Sequence, residues 1–180
     1  MINHRTQLLR SITPLVLLFQ LVATVRADPP PAVEVTGTVA KPAKWSADSL
    51  RKQFAAEIKP IEYSSRGQKH KASCVALSSV LHQAGADAQM KMAPGVAPAM
   101  KNHALRFAVV VTSVDGYTAC FSLAELLPDL GNTAAWIALD TDDKPLPEGE
   151  GHVRLIVPSD KKPARSVRDI SSINVVDVSK

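Results

Sequence analysis

The residues with chemical capacity are few, and they fall into small groups. Cys74 and Cys120 are the only cysteines of the 180-residue chain. The histidines His70, His82, His103 and His152 are scattered along it. No Gly-x-Ser-x-Gly elbow, phosphate loop or zinc-protease helix joins them into a nucleophile-and-base set. Two cysteines without a neighbouring histidine do not make a structural zinc site. Five basic residues lie together toward the C-terminus: Arg154, Lys161, Lys162, Arg165 and Arg168. Guanidinium forks there could grip a phosphate in bidentate fashion, or Arg154 or Arg168 could pair with Asp160 or Asp169 in a solvated loop. Met90, Met92, Met100 and His103 form a third group. Thioether sulfurs with one imidazole suit Cu(I), whereas methionines in a proline-containing loop also serve as flexible cover over a core. Asp115-Gly116-Tyr117 is either the wall of a site or simply a hairpin turn.

The N-terminus bears on what these groups can do. Arg5 and Arg10 precede an apolar run from Ile12 to Ala23, and Val25-Arg26-Ala27 precedes Asp28. This order predicts a signal peptide over residues 1–27, cleaved after Ala27. The run is too short for a stable membrane anchor, which needs about 20 apolar residues. A proline-rich leader, 28–32, then leads into one domain, 33–180. The chain is thus expected to be periplasmic or secreted. Residues 1–27 hold three arginines and no acid, so their loss takes the net charge from +4 to +1. A nearly neutral protein is not built to bind nucleic acid, which is gripped by phosphate neutralisation. An oxidising compartment permits a Cys74–Cys120 disulfide, and two free thiols are the alternative.

The elements that must position these residues read as strands more often than helices. Val33, Val35, Gly37 and Val39 alternate as in a strand, and Ser46 is placed to cap a helix carrying Leu50 and Phe54. Ile58 to Tyr63 reads as extended, and polar Ser64 to Ser73 as a loop or strand edge. Ala76, Leu77, Val80, Leu81 and Ala84 make a helical stripe ending at Gly85. Ala86 to Asn102 has no period and reads as a loop. Leu105–Thr112 and Tyr117–Phe121 flank Asp115-Gly116 as a hairpin. Ser122 with Glu125 forms a capping box, and Pro128 ends that helix. Further strands are expected at Ala134–Asp140, Val153–Val157 and Ile173–Val178. No regular βαβ alternation is present, so the class is α+β with mixed layered β-sheets and a few short helices.

The order of these segments resembles the molybdopterin-binding domain of the sulfite-oxidase superfamily in its small stand-alone form. The resemblance lies in Val35-Thr36-Gly37-Thr38-Val39, in Cys74-Val75-Ala76-Leu77 through Ala84-Gly85, and in Val114-Asp115-Gly116-Tyr117. It is closest in Lys144-Pro145-Leu146, Gly151-His152-Val153-Arg154 through Asp160, Arg165-Ser166-Val167-Arg168 and Ile173-Asn174-Val175-Val176. It implies an oxidoreductase-type fold that holds an anionic pterin, with molybdenum bound by the pterin and, in catalytic members, by one cysteine thiolate. It also implies His70, Arg154, Arg165 and Arg168 as cofactor-binding residues. The chain departs from the pattern where the metal-ligand cysteine belongs, since Ser64-Ser65-Arg66-Gly67-Gln68-Lys69-His70 contains none. Cys74 is displaced by a few residues and is the weak candidate for that ligand. The signal lacks adjacent arginines, so it resembles a general secretory signal whose passengers cross unfolded, without a cofactor. A molybdopterin-binding domain, a non-catalytic descendant that binds a small anion or a protein, and a copper-binding protein are the three functions these features allow.

Overall fold

The computed structural model describes residues 31–86 and 103–179. The expected signal peptide and the three loop methionines, Met90, Met92 and Met100, lie outside the described residues. Alternation places Val33 and Val35 in the core and Glu34 and Thr36 outside, giving β1 (Val33–Gly37), which pairs with short β2 (Ala43–Trp45). Ser46 caps α1 (Ala47–Gln53), its hydroxyl accepting from Ser49 N at 3.2 Å. There follow β3 (Lys59–Ser65), β4 (Gln68–Ala76) and α2 (Leu77–Gln83), the last ending in Gly85 at φ +72°. After a 3-10 turn at His103–Arg106 come β5 (Phe107–Ser113), β6 (Thr118–Ser122) and α3 (Leu123–Leu126), whose Ser122–Glu125 capping box is complete. β7 (Trp136–Ala138), β8 (Arg154–Ile156), a 3-10 turn at Pro163–Arg165 and β9 (Ile170–Asp177) complete the chain's described elements.

The strands form two sheets, ordered β2-β1-β9-β5-β6 and β3-β4-β7-β8. All pairings are antiparallel except β1 with β9. This is the expected α+β class with mixed sheets. Gly37 makes the parallel pairing possible: at φ +86° its missing side chain leaves room for the Val175 carbonyl, which accepts from Thr38 N at 2.7 Å. One core joins Val35, Val109, Val111, Phe121, Ile173 and Val175 of the larger sheet to Val75, Ile137 and Leu155 of the smaller and to Leu77, Val80 and Leu81 of α2. The smaller sheet is also apolar on its other face, where Tyr63, Ala72, Cys74, Ala138 and Ile156 make a second cluster. Strands buried on both faces read as continuous apolar runs.

The polar stretch 64–73, expected as a loop or strand edge, is the latter. It forms a hairpin at the edge of the smaller sheet, turning at Arg66 and Gly67 with φ of 50° and 78°. Positive φ at both positions matches the twist of the flanking strands. Because β7 pairs only with Cys74, Val75 and Ala76, the rest of β3 and β4 projects as a two-stranded arm. The arm is backed near its base by the segment after β7, where Leu139 N and Asp142 N donate to Ser73 O and Lys71 O at 2.9 and 2.7 Å. The Tyr63 ring of β3 lies 5.0 Å from the Arg154 guanidinium of β8, so long side chains from the two edge strands meet across one face of the sheet. Leu105, expected in β5, sits instead in the preceding 3-10 turn and is exposed.

Candidate functional site

A cleft of about 400 Å³ opens between the arm and the segment that follows β8. Glu62, Tyr63, Ser64 and Lys69 form the arm wall. Glu62 and Ser64 share a face of β3 because they are two residues apart, and register places Lys69 directly opposite Ser64. The other wall begins at Ile156 and Val157, continues through Pro158, Asp160 and Lys161, and ends at Pro163 and Ser166. Apolar backing with a few convergent polar groups is the usual make-up of a small-molecule site.

The charges in the cleft are not equivalent. Arg165 holds Asp160 with two parallel bonds, Nη2 to Oδ1 at 2.6 Å and Nε to Oδ2 at 3.0 Å. That fork keeps the Asp160 carboxyl below the usual carboxylate range. Arg165 also approaches Glu125 at 3.5 Å and lies 4.8 Å from the Phe121 ring, so its own charge is spent on the protein. Among the described residues, Lys69, Lys161 and Glu62 enter no ion pair. Two free ammonium groups and one free carboxylate therefore set the character of the cleft.

The four residues implied for cofactor binding are not gathered at this cleft. His70 Nδ1 lies 2.9 Å from Asp142 Oδ2, and its ring rests 5.5 Å from that of Tyr63. Asp142 also accepts from Lys71 N at 2.9 Å, and the His70 bond above all lowers its carboxyl pKa. His70 thus ties the arm to the turn after β7. Arg154 is buried, ion-paired to Glu150, and covers Tyr63. Arg165 is consumed by Asp160, and Arg168 is exposed with no ion pair among the described residues. None of the ion pairs anticipated for Arg154 and Arg168 forms: Arg154 takes Glu150 instead, Asp160 is taken by Arg165, and Asp169 by His152. His152 pairs with Asp169 at 2.8 Å, and its Nε2, like Arg154 Nε, is buried without a partner.

Neither cysteine offers a ligand of the implied kind. Burial pushes the Cys74 thiol up to about 12, with the Asp140 charge adding to this and Arg154 opposing it. It is fully enclosed on β4. A thiol with no exposed surface offers an incoming metal no open approach, so Cys74 is not placed as a ligand. Cys120 is exposed on β6 of the other sheet, and both thiols are free, which removes the disulfide alternative. Among the described residues no group of three or more His, Cys, Asp or Glu could hold a metal ion. The residues present therefore do not fit a thiolate-bound molybdenum centre. His103, the described member of the copper group, accepts from Arg106 Nη1 at 3.0 Å through Nε2. Asp115-Gly116-Tyr117 is a hairpin turn, and the Tyr117 hydroxyl donates to Ala164 O in the turn behind the cleft wall.

The cleft draws on both segments read from the sequence, 64–70 and 154–168, through side chains other than the four implied for a cofactor. Lys69 sits beside His70, and Lys161 belongs to the basic run. No sequence signal sets them apart: Lys161 directly follows Asp160, the acid that Arg165 takes. Glu62, Ser64 and Ser166 carry no signal without the fold.

No family model matches the chain, and no curated protein matches it in sequence. Among solved structures it is similar to the sulfane dehydrogenase SoxCD from Paracoccus pantotrophus, with a TM-score of 0.53 and 15% identity. The match covers 82% of this chain and 38% of that one, so the chain spans well under half the length of the enzyme chain. The shared feature is the arrangement of mixed sheets and short helices, so the α+β fold is common to this chain and part of that structure.

Proposed function

We propose that this chain is an exported ligand-binding domain on a molybdopterin-type fold, which takes a small organic anion in the cleft between arm and loop and has no protein-held redox metal. One observation carries the proposal. The two segments singled out by the family resemblance, 64–70 and 154–168, lie about ninety residues apart in sequence, yet both contribute to the same cleft. What they present there is ammonium and hydroxyl groups, with no thiol. An anion between Lys69 and Lys161 would receive charge-assisted hydrogen bonds from both walls, with Ser64 and Ser166 as neutral donors. Both lysines are exposed, so affinity should fall steeply with salt.

Titration of the purified protein with pyrophosphate, followed by backbone amide NMR, tests this. Shifts should concentrate at 62–69 and 156–166, and the double variant Lys69→Gln/Lys161→Gln should weaken binding at least about 10-fold, the cost of roughly one ion pair on each wall. Shifts spread evenly over the surface would overturn the proposal. A second reading, a molybdopterin-carrying oxidoreductase, is favoured by the fold shared with a dehydrogenase. Metal analysis of protein from its own cell envelope separates the readings: molybdenum with a pterin supports the second, copper supports the Met90/Met92/Met100/His103 site, and absence of both supports the first.

A further inference from the structure

We infer that the ligand of this cleft is a zwitterion, an organic anion that also carries an amino or amidinium group, and that Glu62 selects it. The inference rests on the anion-binding function proposed above and concerns which anion is taken. Asp160 brings no usable negative charge to the cleft, because Arg165 grips both of its oxygens. Glu62 is different: it lines the same cleft, and no hydrogen bond or ion pair among the described residues engages it. Its cross-strand neighbour Lys71 makes no contact ion pair with it, which leaves the carboxylate able to turn to a ligand. A site evolved for a plain polyanion gains nothing from a free carboxylate on its wall, because like charge repels the ligand.

The spacing on the arm supplies the ligand's shape. Ser64 and its register partner Lys69 form one polar spot, and Glu62 lies two residues along the same face of β3. Two residues of extended strand cover about 7 Å. The ligand therefore places its anionic group by Ser64, Lys69 and Lys161 and its cationic group about 7 Å away at Glu62. An ω-amino acid, a short peptide or an amino-substituted phosphate ester satisfies this. Pro158, Pro163, Ile156 and Val157 provide an apolar wall for the carbon chain between the charged ends.

The test compares δ-aminovalerate with adipate, which has the same number of methylenes but a carboxylate at each end. Binding to the full protein is read by amide NMR at low ionic strength. δ-Aminovalerate should bind about 10-fold more tightly, since Glu62 attracts one probe and repels the other. Glu62→Gln should bring the two within about 2-fold, mainly by improving adipate, while Lys69→Gln weakens both. Equal or tighter binding of adipate by the wild-type protein overturns the inference and leaves anion binding intact. Binding of pyrophosphate with no response to δ-aminovalerate does the same. If none of the three probes shifts the cleft residues, the inference and the proposed function fall together.

Discussion

Arg154→Met separates a structural arginine from a ligand-binding one. Arg154 and Glu150 are 3% and 8% exposed, and their ion pair is shielded from water by the Tyr63 ring. Methionine keeps much of the volume and can still contact the aromatic ring through sulfur, so the substitution chiefly removes charge. It strands the Glu150 carboxylate in a dry site, and breaking a buried pair in this way costs about 3–5 kcal/mol. For a domain of this size each kcal/mol moves the Tm by about 2–4 °C, so the variant should melt about 6–20 °C below wild type. The pair's net worth is smaller than that cost, because Arg154 Nε is already without a partner. Adding Glu150→Gln should therefore restore at least about half of the loss, a coupling that thermal melts of the two single variants and the double variant measure directly. Refutation is specific: Arg154→Met melting within about 2 °C of wild type while losing anion binding would mean that the guanidinium serves the ligand, as the family resemblance implies.

Other consequences can be checked with simple assays. Alkylation under native conditions should modify one thiol per chain, Cys120, while both react in denaturant; rapid native modification of Cys74 would contradict its enclosure and its raised pKa. Acid should destabilise the protein through its paired carboxylates. Arg165 lowers the Asp160 pKa, while at Asp140 burial pushes upward and is outweighed by bonds from Ser73 and Arg51. Folded values below unfolded ones give stability that is complete above about pH 4–5 and is lost as the pH falls through the folded values. A denaturant midpoint that stays flat from pH 7 to pH 2 would exclude this. Arg165→Met frees the Asp160 carboxylate into the cleft, so it should weaken pyrophosphate binding by about 5-fold without contacting the ion; unchanged affinity would mean that Asp160 does not face the ligand.

What the sequence disclosed was local. Ser46, Gly85 and the Ser122–Glu125 box each act within a few residues, so their caps form as read. Alternation in β1 and β5 likewise needs nothing beyond one strand and one core face. The β3–β4 hairpin escaped because its turn is Arg66-Gly67 and lacks the Asn or Asp that usually marks positive φ. The partners of the charged residues were hidden for a different reason. A cation's role depends on which carboxylate reaches it first, and Arg154 meets Glu150 inside the fold while Lys69 meets none. The cleft was invisible because its walls, the arm and the segment after β8, come from opposite edges of the smaller sheet and only the fold brings them together.

The place of β9 in the larger sheet has a consequence for biogenesis. β9 follows every other strand in sequence, yet it lies between β1 and β5 and is the only link between them. Until residues 170–177 have left the ribosome, β1 and β2 have no sheet to join, and Val33 and Val35 have no partner strand to bury against. Burial of the main core is thus deferred until β9 is made. A nascent chain of this topology keeps its main core open until β9 has emerged, so the domain closes in one late step rather than strand by strand.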